Sequence, residues 1–311
     1  MLAIVSVIAP VFALIATGYL AVRYRLYPRS GVGALVAFCN NFATPCLLFE
    51  AMWTTDFGEI FNAAVIVPFY VGAVASLFLG SLIAMRIFKT RPGESISSGF
   101  AAMFTNTVLV GIPVVSRAYG EEALPTVLSI VALHAPLLIT LGMLVMELVR
   151  RDGAPILQAL FNALIRIVSN PLLWGVVLGA LANVLKIPKI EPAEAFLGMM
   201  SAAVVPAALF GLGGALNEYR FAENWLHALV MSLLKLVSQP LIAWFLMIVI
   251  LKVDIETARY AILLAAMPAG INVYVFATYY NRGANVAANT VLISTVLSAF
   301  TITGWLYILS L

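Results

Sequence analysis

Two stretches of this chain set proline, glycine and asparagine together inside long apolar runs. One reads Asn106-Thr107-Val108-Leu109-Val110-Gly111-Ile112-Pro113, and the other Met267-Pro268-Ala269-Gly270-Ile271-Asn272. Proline has no backbone N–H, and its ring collides with the carbonyl four residues back. Pro113 and Pro268 are therefore expected to release the carbonyls of Leu109 and Leu264, while Gly111 and Gly270 let the backbone unwind further. The half-helix after each proline presents free N–H groups and a partial positive charge. Two such ends meeting in an apolar interior attract an anion without a buried lysine or arginine. The amides of Asn106 and Asn272 add side-chain donors. The plainer alternative is a pair of proline kinks packed against their neighbours.

A third polar group is the adjacent pair Asn40 and Asn41, just ahead of Pro45. Two amides in an apolar run need partners, either as caps on broken helices or as contacts to a ligand. Other candidates read more simply. None of the 14 acids falls in the middle of an apolar run; Glu50 is the deepest and is expected to reach the interface from a helix end. Lys235 is expected to snorkel to the membrane surface from a helix starting near Met231. His134 reads as a packing residue rather than a proton carrier. Cys39 and Cys46 are seven residues apart on one run and read as small core residues. No HExxH, GxSxG, phosphate-binding loop or metal-ligand cluster is present, so catalysis lacks parts and no cofactor or metal is expected.

The elements that carry these residues follow from composition. Of 311 residues, 63% are hydrophobic and 10% charged, with a net charge of +3. A soluble domain has about a quarter charged residues, and so small a net charge builds no phosphate-binding surface for nucleic acid. Apolar runs fall near 2–22, 32–53, 62–85, 95–116, 125–148, 164–185, 196–216, 229–251, 259–280 and 286–309. Each is long enough to cross about 30 Å of hydrocarbon at about 1.5 Å per residue. The first run has its basic cluster, Arg23, Arg25 and Arg29, behind it, the reverse of a cleavable signal peptide, and is expected to stay as helix 1.

The expected fold is thus an all-α polytopic membrane protein of ten transmembrane helices. Eleven of the 17 basic residues lie in odd-numbered loops, which places those loops in the cytoplasm and both termini outside. The longest loop, with Arg150, Arg151, Asp152, Gly153 and Pro155, divides the chain into five-helix halves, 1–151 and 152–311. Pro10 and Pro45 recur as Pro171 and Pro206 at an offset of 161 residues. Five is odd, so duplicated halves form a 5+5 inverted repeat, as in many secondary transporters.

At the two proline stretches the sequence resembles the auxin efflux carrier family. The resemblance is carried by Asn106 to Pro113 with Tyr119-Gly120, and by Met267 to Asn272 with Phe276-Ala277 and Tyr280. The first stretch is similar to the helix 4 signature of the plant PIN carriers, and the second to their helix 9 segment. The plant carriers often have a long central cytoplasmic loop, which this chain lacks. Its short form resembles the bacterial members, some of them malate or malonate permeases.

The resemblance implies a fold shared with the bile acid:sodium symporters. Helices 1, 2, 6 and 7 form a scaffold; helices 3–5 and 8–10 form a transport domain with broken, crossing helices 4 and 9. It makes Asn106 the substrate-contacting asparagine and Pro113 and Pro268 the crossover prolines, and it implies a homodimer. Sodium coupling is not expected, since no acid lies inside helix 9; a proton or no coupling ion remains. The expected function is secondary transport of a small organic anion across the inner (plasma) membrane, by an elevator-like movement. The substrate is a malate- or malonate-type dicarboxylate or an auxin-like monocarboxylate. A passive anion channel and an intramembrane enzyme are the alternatives.

Overall fold

The computed structural model describes residues 2–54, 62–150, 161, 164, 165, 168, 169, 171–218 and 224–310. Its main helices are α1 (Leu2–Arg23), α2 (Arg29–Thr54), α3 (Ala63–Arg86), α4 (Pro92–Met103), α5 (Ile112–Tyr119) and α6 (Leu124–Arg150). The second half gives α7 (Pro171–Val184), α8 (Glu191–Ala215), α9 (Trp225–Ile250), α10 (Ile255–Ala265), α11 (Asn272–Tyr279) and α12 (Ala284–Leu309). Among the described residues, six helices are long and apolar enough to cross a bilayer unaided: α2, α3, α8, α9, α12 and the stretch Glu121–Val149, which takes in α6 up to Val149. The fourth and ninth apolar runs are each split, into α4 with α5 and α10 with α11. Arg151, Asp152, Gly153 and Pro155, the boundary between the halves, and Arg166 and Arg220 lie outside the described residues.

Among the described residues the helices widen to π-type turns at Cys39–Ala43, Thr107–Gly111, Leu234–Ser238 and Phe245–Ile250. The first three are each followed two residues later by a proline: Pro45, Pro113 and Pro240. The carbonyl that each proline ring would strike belongs to Asn41, Leu109 or Leu236, inside the widened turn. A turn with five-residue spacing moves that carbonyl away and spares the helix a full break. In α2 this places Asn40 and Asn41 on the widened turn itself.

Packing in lipid relies on close approach rather than on a hydrophobic drive. Helix α7 lies against α2, where a Cβ on Gly175 would meet the Pro45 carbonyl oxygen at 2.5 Å and one on Gly179 would strike that of Phe49. Helices α1 and α2 also pack on α8, where Ser201 Oγ donates to Glu50 Oε2 at 2.7 Å. Glu50 thus joins α2 to α8. Helix α3 packs on α4 and α9, and α9 on α12; Tyr70 Oη ties α3 to α6 by donating to the Ile130 carbonyl at 2.7 Å. Cys39 is buried and Cys46 half-buried, and both are free thiols.

Basic residues in the left-handed conformation follow four helices: Arg25 after α1, Lys89 after α3, Lys186 after α7 and Lys252 after α9. The turns at Arg25 and Lys186 wrap back with matching bonds, Leu26 N–H to the Ala21 carbonyl and Ile187 N–H to that of Ala182. These cations sit where the negative helix end favours them. Arg25 and Lys186 are 161 residues apart, the spacing of the proline pairs.

Candidate functional site

The two split runs meet at their breaks. Phe104 leaves the helical conformation at φ −83° and ψ 110°, and Asn106 follows at φ −78° and ψ 69°. Thr105 faces Ala269 in an antiparallel bridge. The Asn106 N–H donates to the Pro268 carbonyl at 2.8 Å, and the Gly270 N–H to the Phe104 carbonyl at 3.1 Å. Each break therefore satisfies backbone groups left open by the other, as buried peptide groups require.

Three neighbouring helices hold this bridge. From α6, His134 Nε2 accepts the Thr105 N–H at 3.2 Å. From α9, Gln239 Oε1 accepts the Thr105 hydroxyl at 3.2 Å, and Lys235 Nζ donates to the Ala265 carbonyl at 2.8 Å. From α12, Ser294 Oγ accepts the Ala269 N–H at 3.1 Å. An accepting Nε2 leaves the His134 proton on Nδ1.

A cavity of about 310 Å³ opens beside the bridge. Asn40, Asn41, Thr105, Asn106, Gly270 and Asn272 line it, together with His134. Asn106 is 5% exposed and divides its amide between two tasks. Its Oδ1 accepts the Leu109 N–H at 3.2 Å, capping the widened turn. Among the described residues its Nδ2 has no partner, and neither has His134 Nδ1. Helix α11, which begins at Asn272, starts without a side-chain cap. Donors therefore converge on the cavity, which no acidic side chain lines among the described residues.

The break in the fourth run and the place of Lys235 differ from the sequence expectation. The break in the fourth run falls at Phe104–Asn106 and not at Pro113, because the widened turn absorbs the proline; the Gly111 N–H reaches the Asn106 carbonyl at 3.0 Å instead. Gly111 and Pro113 do not line the cavity, nor does Pro268, whose contribution is its carbonyl. A Cβ on Gly111 would meet Leu264 Cδ1 at 2.5 Å, so this glycine lets α10 pack close. Lys235 does not snorkel: α9 begins at Trp225 and not near Met231, which puts Lys235 about 15 Å along the helix, fully buried.

Thr105, Gln239 and Ser294 were not singled out by the sequence reading, and His134 was read as packing only. Their signal is a polar residue within an apolar run. Periodicity alone does not say which helix face meets the bridge.

These features define a membrane protein with a ligand-sized cavity at a paired helix break, its lining apolar with a cluster of amides. The family described as "Membrane transport protein" matches residues 3–306, and the chain belongs to it, as an auxin efflux carrier-type member. It is 27% identical over 310 residues to a putative malonate transporter of Rhizobium meliloti, covering 98% of this chain and 96% of that one. It is 26% identical over 359 residues to the probable auxin efflux carrier component 5a of Oryza sativa, covering 99% and 97%. A match of 24% identity to the lysosomal cholesterol signaling protein of Mus musculus covers 95% of this chain and 36% of the mouse protein.

Proposed function

We propose that the protein is a secondary carrier of a small organic anion, whose carboxylate binds at the bridge between Phe104–Asn106 and Pro268–Gly270. The unpartnered, buried Nδ2 of Asn106 carries this reading. A buried donor without an acceptor is costly unless a ligand or water satisfies it. His134 Nδ1 and the start of α11 supply further donors, and Asn40 and Asn41 close the cavity from α2. The volume fits a small molecule. The names of the relatives, a malonate transporter and an auxin carrier, support a dicarboxylate or an aromatic monocarboxylate as the substrate class.

The proposed architecture is ten membrane spans in a 5+5 inverted repeat, with both termini outside, in the plasma membrane. The recurrence of Arg25 as Lys186 supports the repeat, and the skew of basic residues supports the orientation. Helices α1, α2, α7 and α8 form the scaffold, of a kind that also pairs into a homodimer. The remaining helices form a unit that slides against it and exposes the cavity to each side in turn. No cofactor is required, and coupling is to a proton or to no ion rather than to sodium. The test is uptake into liposomes by the purified protein across a panel of mono- and dicarboxylates, with and without sodium and a pH gradient. A carrier saturates and shows counterflow of labelled substrate; linear, non-exchanging flux would identify a channel instead.

A further inference from the structure

A second cavity, of about 550 Å³, shares no lining residue with the first. It sits where the turn after α3, the start of α9 and the turn between α11 and α12 converge. Its wall includes His227, which is 3% exposed and stacked on Phe88 at 4.1 Å between ring centroids and 7° between planes. Stacking fixes the ring, yet among the described residues His227 Nε2 has no partner, and neither has the buried hydroxyl of Thr90 in the same wall. Buried polar atoms of this kind mark an absent water, ion or ligand.

The surrounding charge selects among these. Helices α9 and α12 both begin at this cavity, from Asn224 at φ 71° and Gly283 at φ 65°, and neither has a side-chain cap. Their first N–H groups and positive ends face an anion favourably. Lys89 adds a cation, and the amide of Asn285 a donor, on the rim. Among the described residues the acid in the wall is Glu94; its Oε2 accepts the Arg91 N–H at 3.4 Å, and its charge also reaches the His227 ring.

We propose that this cavity binds a phosphate-type oxyanion, either free or as the headgroup of an anionic lipid. The anion accepts hydrogen bonds from His227 Nε2–H, the Thr90 hydroxyl and the starts of α9 and α12, with Lys89 balancing its charge. It thereby ties four helices together at one end of the bundle.

The test uses the full-length protein and reads its melting temperature and binding isotherm. One arm titrates inorganic phosphate in detergent; the other compares phosphatidylcholine nanodiscs with and without phosphatidic acid. Asn285→Asp puts a like charge beside the ligand at an exposed first-turn position, where an acid suits the helix itself. Lys89→Asn removes the cation while keeping a residue that tolerates the left-handed turn. Stabilisation by phosphate, weakened about tenfold in affinity by either variant, supports the free anion; the same pattern with phosphatidic acid alone supports the lipid. Asn106→Asp, at the crossing, leaves the response intact. No response in either arm, a response that survives both rim variants, or one abolished by Asn106→Asp would overturn the proposal.

Discussion

Asn106 and Pro268 are joined through their backbones, the N–H of one donating to the carbonyl of the other at 2.8 Å. They lie in opposite halves of the chain, and each sits at the point where its apolar run stops being helical. The bond makes the two interruptions interdependent: closing either one into a helix withdraws a partner from the other.

The two prolines therefore differ in weight. Pro268 lies within its break, whereas Pro113 follows a turn that has already widened around it. Pro268→Ala should let α10 run on into α11 and cut initial uptake by about tenfold, a barrier change near 1.4 kcal/mol. Pro113→Ala should stay within about twofold of the parent. Equal losses in side-by-side uptake measurements would show that both prolines make breaks.

Lys235 and the Ala265 carbonyl give a second prediction. Lys235→Met retains the length of the side chain but leaves that carbonyl without its donor, a loss of about 1–3 kcal/mol. The purified variant should melt earlier and transport more slowly. A lysine that reached the membrane surface would tolerate the change without effect on either reading.

Gly111 tests packing rather than binding. Gly111→Val should push α5 away from Leu264 at about 1–3 kcal/mol, lowering the melting temperature and the yield of folded protein. Substrate affinity of the fraction that folds should hold, because the residue does not line the cavity. A weakened affinity with unchanged melting would show that Gly111 acts in binding.

Much of this was legible in the chain. The apolar runs located the helices, because spanning length and composition leave few alternatives, and the prolines marked the two runs that divide. Asn40, Asn41, Asn106, Gly270 and Asn272 were read as site residues and do line one cavity. What escaped was governed by geometry across helices. Proline chemistry alone puts the first break at Pro113, since a sequence does not reveal that a π-type turn will take up the clash. Lys235 looked superficial because the apolar run around it is hydrophobic on both sides, and the start of a helix is the least certain part of such a run. His134, Gln239 and Ser294 come from three different helices, and only the assembled bundle shows that they converge on Thr105 and Ala269.

The central claim is that Asn106 Nδ2 donates to a substrate carboxylate, and Asn106→Asp isolates it. The aspartate keeps an oxygen to cap the Leu109 N–H but removes the donor and sets a negative charge against an anion. Binding of malonate and of an aromatic monocarboxylate should be measured by calorimetry on parent and variant protein of matched melting temperature. The account predicts that whichever carboxylate the parent binds is lost by the variant, a weakening of at least about a hundredfold. Unchanged affinity in a folded Asn106→Asp protein would contradict it.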